Sequence, residues 1–216
     1  MTFIRLKAIL DVAKRIHISS ISRIDFDKED KKHAIYLLQG GVLTAVSNAF
    51  QFNLNGFYVP TTQQKRLIDE AIDLIWFFDE NLKKQRQLRA WFAGRIVERV
   101  PGNEGNLTLK QRAEINLLDI DRIQKMDDLQ KTINHIVSEV MHPTIKAMRA
   151  NSSKRTHLFD YDNLTPKKPQ YSPENFGNMF VVPSLFSLLI PIRHLQVNNA
   201  QFDILRSYVR DIENNR

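Results

Sequence analysis

Apolar residues recur at helical rather than strand spacing along most of the chain. Between 62 and 79, Leu67, Ala71, Leu74, Ile75 and Phe78 follow an i, i+4, i+7, i+8, i+11 pattern, while Arg66, Asp69, Glu70 and Asp73 fall on the other side. That spacing predicts an amphipathic helix with one core-facing stripe. Thr61 or Thr62, just after Pro60, supplies the side-chain oxygen expected of an N-cap. The next helix, 81–99, groups Leu88, Trp91, Phe92 and Ile96 and turns its basic residues outward. Gly94 inside it implies a close approach to another helix, because a mid-helix glycine otherwise costs about 1 kcal/mol.

The rest of the chain reads in the same way. Residues 5–16 form a short helix, and 27–52 a long one through Ala34, Leu37, Leu38, Val42, Ala45, Val46 and Ala49, with Gly40 and Gly41 as a kink. Pro101, Gly102 and Gly105 break the pattern before Thr108, which with Gln111 forms a capping box for a helix to Leu118. Asp127 or Asp128 caps another that Pro143 ends at His142. Residues 151–173 lose all periodicity and collect Pro166, Pro169 and Pro173, predicting an irregular loop of a length that is uncommon inside compact domains and is often functional or disordered. Two closing helices span 174–190 and 192–213. The expectation is an all-α single domain over 1–216, a bundle of about seven or eight helices, with Leu67, Leu74, Ile75, Phe78, Trp91, Phe92, Ile133 and Val137 in its core.

Composition narrows the class without choosing an activity. The chain has 216 residues, 43% hydrophobic and 25% charged, the profile of a globular protein. It has no cysteine, which excludes disulfides, thiolate catalysis and Cys-ligated metal sites. The first fifteen residues interleave Arg5, Lys7, Asp11, Lys14 and Arg15 with apolar positions, unlike a secretory signal, so a cytoplasmic location is expected. Phe176 to Ile192 is strongly apolar but short of the roughly 20 residues of a membrane span and holds Pro183 and Pro191. It reads as a buried helix, and no membrane partner is expected.

Lys and Arg number 31 against 24 Asp and Glu, a net charge of +7. The excess gathers in 83–99 (Lys83, Lys84, Arg86, Arg89, Arg95, Arg99) and 146–168 (Lys146, Arg149, Lys154, Arg155, Lys167, Lys168). Lys84, Arg95, Arg99, Lys154 and Arg155 are therefore the candidate contacts to RNA or another polyanion, with Phe159 and Tyr161 placed where bases could stack. His135, Glu139 and His142 share one helix face at i, i+4 and i+7, a donor set suited to zinc, iron or manganese. They span about 10 Å along a straight helix, so one ion needs partners from elsewhere, such as Asp69, Glu70 or Asp73. A partly buried polar seam with His142 at the Pro143 break is the favoured reading. Asp69 and Asp73 could likewise act as paired carboxylates, but Lys65, Arg66 and Arg86 are near enough to make surface ion pairs of them. No phosphate-binding loop, GxGxxG, GxSxG, HExxH or EF-hand loop occurs, and no cofactor is expected.

Two stretches, "RLIDEAIDLIWFFDENLKKQRQLRAWFAGRIV" (66–97) and "LLDIDRIQKMDDLQKTINHIVSEVMHPTIKAM" (117–148), with Trp91-Phe92, Gly94 and His142-Pro143 as their distinctive pieces, resemble bacterial all-helical proteins that are loosely HEPN-like. That resemblance implies a homodimeric ribonuclease acting through closely spaced Arg and His. Here seven residues separate Arg149 from His157 and one separates Arg155 from His157, so the family spacing is not reproduced. Arg149, Arg155 and His157 are the catalytic candidates that the resemblance leaves, His157 as acid or base and the arginines as charge stabilisers. The leading expectation is a non-enzymatic interaction module of the bacterial cytoplasm that binds RNA or another polyanion. The homodimeric ribonuclease and a metal-binding helical protein follow.

Overall fold

The computed structural model describes residues 1–80, 85–94, 168–189 and 199–214, and among them all regular structure is helical. The described residues form six helices: α1 (Phe3–Ser19), α2 (Lys31–Leu54), α3 (Tyr58–Glu80), α4 (Gln85–Phe92), α5, and α6 (Asn199–Asn214). The α5 helix is continuous through Pro173–Phe176, a π-type turn at Gly177–Val181 and Val182–Leu189. The segments expected over 108–118, 127–142 and most of 151–173 lie outside the described residues, as do Ile133 and Val137.

Local chemistry explains the helix ends. Thr2 accepts the N–H of Arg5 at the start of α1, Asp30 accepts that of His33 at 2.9 Å at the start of α2, and Ser172 that of Asn175 ahead of Pro173 in α5. Each satisfies a donor with no partner inside the helix. The long helix thus begins at Lys31, four residues later than the expected Asp27, because Asp30 is its cap. It runs through Gly40 and Gly41 unbroken, and Gly40 lies against the His17 ring. α2 ends in a two-bond αL cap: Phe57 N–H reaches Phe52 O, Gly56 N–H reaches Asn53 O, and Gly56 has φ 74°. Phe52 and Phe57 close the turn with ring centroids 6.3 Å apart, the apolar contact that accompanies this cap.

Three expectations are corrected. Thr61 and Thr62 do not cap α3, which starts at Tyr58 and takes Pro60 into a first turn that needs no N–H donor; both threonines are buried. Gly94 does not serve a mid-helix contact: α4 stops at Phe92, Gly94 has φ +72°, and a Cβ there would meet open space. Its role is to let the chain turn in the left-handed region that L side chains avoid. Leu67 is not core but 54% exposed. The buried face of α3 runs through Thr61, Lys65, Ile68, Ile75 and Phe78, keeping the expected Ile75 and Phe78 but passing through Lys65 and Ile68 in place of Leu67.

α2 and α3 pack as an antiparallel pair and form the most extensive contact of the fold. α1 and α6 run antiparallel, tied by Arg5 to Asp211 at 2.7 Å and Gln201 to Ser19 at 3.2 Å. α5 lies among them, and its Phe176, Phe180, Val181, Val182, Leu185 and Leu188 join one continuous core with Leu6, Val42, Ile75, Leu205 and Ile212. The apolar 176–189 stretch is accordingly internal, and among the described residues no helix is long and apolar enough to cross a membrane. Leu74, Trp91 and Phe92 pack on this core while half-buried.

The π-type turn in α5 has a cause. Pro183 lacks an N–H, and its ring would collide with the carbonyl four residues back. The preceding turn widens, and Val182 N–H reaches Gly177 O. Gly177 is also where α5 meets α1 and α6: a Cβ there would fall 2.9 Å from Ile212 Cγ2 and 3.2 Å from Leu6 Cδ2. Gly177→Ala should therefore destabilise by about 1–2 kcal/mol despite its better helix propensity. Gly41→Ala, on a helix position with nothing within 4 Å, should stabilise by roughly 0.5–1 kcal/mol. Urea unfolding of the two variants checks both signs.

Candidate functional site

Two places among the described residues depart from what a plain helical core requires. The first is Lys65, whose side chain is fully buried on the core face of α3. Its Nζ donates to the Asp69 carboxylate one turn on, and Asp73, another turn along, adds attraction. Burial pushes the Lys65 ammonium below its ordinary value, with Asp69 and Asp73 opposing the shift. The carboxylates at 69–73 are thus held by cations rather than poised as a catalytic pair: Glu70 accepts from Arg66 at 2.6 Å on the exposed side. The expected surface role of Lys65 is corrected, since this ion pair is internal.

Other buried polar groups join α2, α3 and α5. Asn53 donates to Tyr171 O and accepts Tyr171 N–H at 2.8 Å, the Tyr171 hydroxyl lies 3.2 Å from Thr62 Oγ1, and Gln39 donates to Ser187 O at 2.9 Å. Each of these pairs has its hydrogen bond, as buried polar groups must.

The second place is a run of rings at the entrance to α2. After the 3₁₀ turn Ile21–Arg23, Asp25 accepts the N–H of Asp27 and is paired with Lys28 at 2.6 Å. This local Asx-type turn lifts Phe26 to the surface, where it is 48% exposed. Phe26 meets His33 and Tyr36 edge-on, at centroid distances of 5.0 and 5.8 Å. His33 leans on Phe92 of α4 at 5.0 Å, and Phe92 continues to Trp91 and Phe78. Behind the cluster, His17 stacks flat on Tyr36 at 4.3 Å. Its Nε2 is 2.9 Å from Tyr36 O; a carbonyl only accepts, so Nε2 carries the proton. His33 Nδ1 donates to Lys28 O at 3.0 Å by the same logic.

Burial holds the His17 imidazole below its ordinary value, against the opposing Tyr36 carbonyl. A histidine buried neutral favours the fold above its unfolded value of about 6.5, and that contribution is lost as pH falls through the depressed folded value. His17→Phe should flatten the acid limb of a stability–pH curve below about pH 6.5, which thermal melts on either side of that value would show.

Of the residues singled out from sequence, Lys84, Arg95, Arg99, Lys154, Arg155, Arg149, His157, His135, Glu139 and His142 lie outside the described residues. Among the described residues no cluster of three metal-ligating side chains occurs. Phe26, His33, Tyr36 and Lys65 were not singled out as site residues by sequence. The Asp25-Phe26-Asp27 turn ahead of an Asp30 cap was the readable signal for an exposed ring there.

The described fold defines an all-α protein with one buried ion pair and a surface ring cluster. No family model, curated protein or solved structure matches the chain.

Proposed function

We propose that the protein is a non-enzymatic helical interaction module of the cytoplasm that binds RNA or another polyanion. The observation that carries this reading is the division of charge. The described residues hold 15 of the 31 Lys and Arg and 14 of the 24 Asp and Glu, close to balance, and the remaining segments hold 16 and 10. Six of the seven excess charges therefore lie outside this near-balanced framework, spread over 81–84, 95–167, 190–198 and 215–216. Within the framework four exposed cations sit against acidic partners: Arg5 on Asp211, Lys7 on Asp11, Lys28 on Asp25, and Arg66 on Glu70, at 2.6–2.9 Å. Lys7 beside Asp11 and Lys28 beside Asp25 hold those carboxyls below the ordinary range. In the sequence, 83–99 holds six Lys and Arg against Glu98, and 146–168 holds six against Asp160 and Asp162; local clusters of this kind support polyanion binding, because releasing counterions from a phosphate chain rewards clustered charge.

The test is binding of labelled RNA and of heparin to the purified protein across a salt series. Micromolar or tighter binding near 50 mM salt, weakening at least tenfold by about 200 mM, is the expected result. A Lys83, Lys84, Arg95, Arg99→Gln variant should bind more weakly with a shallower salt slope. No binding of either polyanion at low salt overturns the reading. Recovery of shortened RNA with the parent, but not with an Arg155→Ala, His157→Ala variant, would replace it with the ribonuclease.

A further inference from the structure

We infer that the Phe26 ring, with His33, Tyr36 and Phe92 behind it, is a stacking platform for an unpaired base of a single-stranded nucleic acid. The inference rests on the polyanion reading above and specifies its ligand.

Phe26 is nearly half exposed, although an aromatic ring of its size normally buries most of its surface. Both of its ring neighbours meet it near a right angle, at 77° and 83°. Among the described residues no ring lies flat on Phe26, whereas Tyr36 is already covered by His17 and Phe176 by Phe180. The backing is firm: His33 is fixed by its Nδ1 bond and by its contact with Phe92. A ring that is nearly half exposed, with no ring stacked on it and a rigid support, loses little conformational freedom when a base lies on it.

Cations border the rings. On α4, Arg86 and Arg89 are exposed, and Arg89 shares a face with Phe92 at i, i+3. On α2, Lys32 is exposed and shares a face with Tyr36 at i, i+4. The acidic groups of the turn are Asp25, paired with Lys28; Asp30, engaged by the His33 N–H; and Asp27 and Glu29, both exposed. These four cations and four carboxylates balance, so stacking rather than phosphate attraction is this patch's contribution. Its position supplies the connection: Arg86 and Arg89 lie on α4, whose Phe92 meets His33, so a strand held by these two arginines passes beside Phe26.

The experiment compares a uridine-rich single strand of about ten nucleotides, the same strand made abasic, its duplex, and heparin, on the parent, Phe26→Leu and Phe26→Tyr. Leu keeps the apolar contact with Tyr36 without a π face; Tyr restores the face. The expected result is that Phe26→Leu binds the single strand roughly 5- to 100-fold more weakly, that Phe26→Tyr binds it like the parent, and that heparin affinity is the same for all three. RNA and DNA strands are run side by side to assign the sugar. Equal affinity for the intact and abasic strands, a duplex bound as tightly as the single strand, or an unchanged Phe26→Leu affinity overturns the platform while leaving polyanion binding standing. Failure of the parent to bind any of the four ligands overturns both.

Discussion

Asp69→Ala is expected to destabilise the fold by about 3 kcal/mol at neutral pH, seen as a lower urea midpoint at unchanged slope. The reason is asymmetry. Lys65 is fully buried and Asp69 remains partly open to water, with 20% of its side chain exposed. Removing the carboxylate strands an ammonium in the core, a situation that typically costs about 3–5 kcal/mol. The lower end applies because Asp73 still attracts the charge. Asp69→Asn keeps an acceptor without the charge, so it should cost less than Asp69→Ala, and the gap between them measures the hydrogen bond against the charge. The opposite truncation should have the opposite sign. Lys65→Met removes the desolvated ammonium, leaves Asp69 its access to water and fills the site with an apolar chain of similar length, for a gain of about 1–2 kcal/mol.

The pH dependence follows from the direction of the Lys65 shift. Its folded value lies below the ordinary 10.5, so between the two values the unfolded chain holds more protons and stability rises with pH. The advantage of Lys65→Met should shrink as pH climbs toward 10.5, and a difference independent of pH would mean that Lys65 is not the source of the strain.

Lys65 also explains where sequence reading succeeded and failed. The helical period of 58–80 was plain, and so was the all-α class. The phase of α3 was not, because a lysine occupies the centre of its core stripe. Scored by polarity, Lys65 belongs outside and Leu67 inside; packing against α2 reverses both, leaving Leu67 54% exposed. Gly94 was ambiguous for a different reason: glycine serves a close helix contact and a left-handed cap alike, and only φ separates them. The Asp30 cap was legible in principle, since it is the last of four acidic side chains before the apolar run, but Asp25, Asp27 and Glu29 competed for the assignment. The ring cluster was least visible, because Phe26, His33, Tyr36 and Phe92 come from three segments that only tertiary packing unites. The cationic candidates and the His135, Glu139 and His142 set named from sequence fall beyond the described residues, and so the proposed function rests on charge distribution rather than on their geometry.

Phe176→Ala should cost about 3–5 kcal/mol, the full penalty of emptying an aromatic site that cannot collapse. Its ring is completely buried, stacked on Phe180 at 4.6 Å and 13° and met edge-on by Phe50 at 5.6 Å, which in turn contacts Phe3 at 5.9 Å. Those contacts link α5 to α2 and α1, so the loss is felt across three helices and includes roughly 0.5–1.5 kcal/mol for each ring pair beyond its area. Relaxation into the hole is limited on the next residue, because the space over Gly177 is already taken by Ile212 and Leu6. Phe176→Leu, which keeps most of the volume, should cost about 1–1.5 kcal/mol. The pair also decides how the apolar stretch from 176 is used in solution. If that face were turned to lipid rather than to the other helices, both substitutions would leave the urea midpoint of the detergent-free protein where it was, and the packing of α5 described above would be wrong.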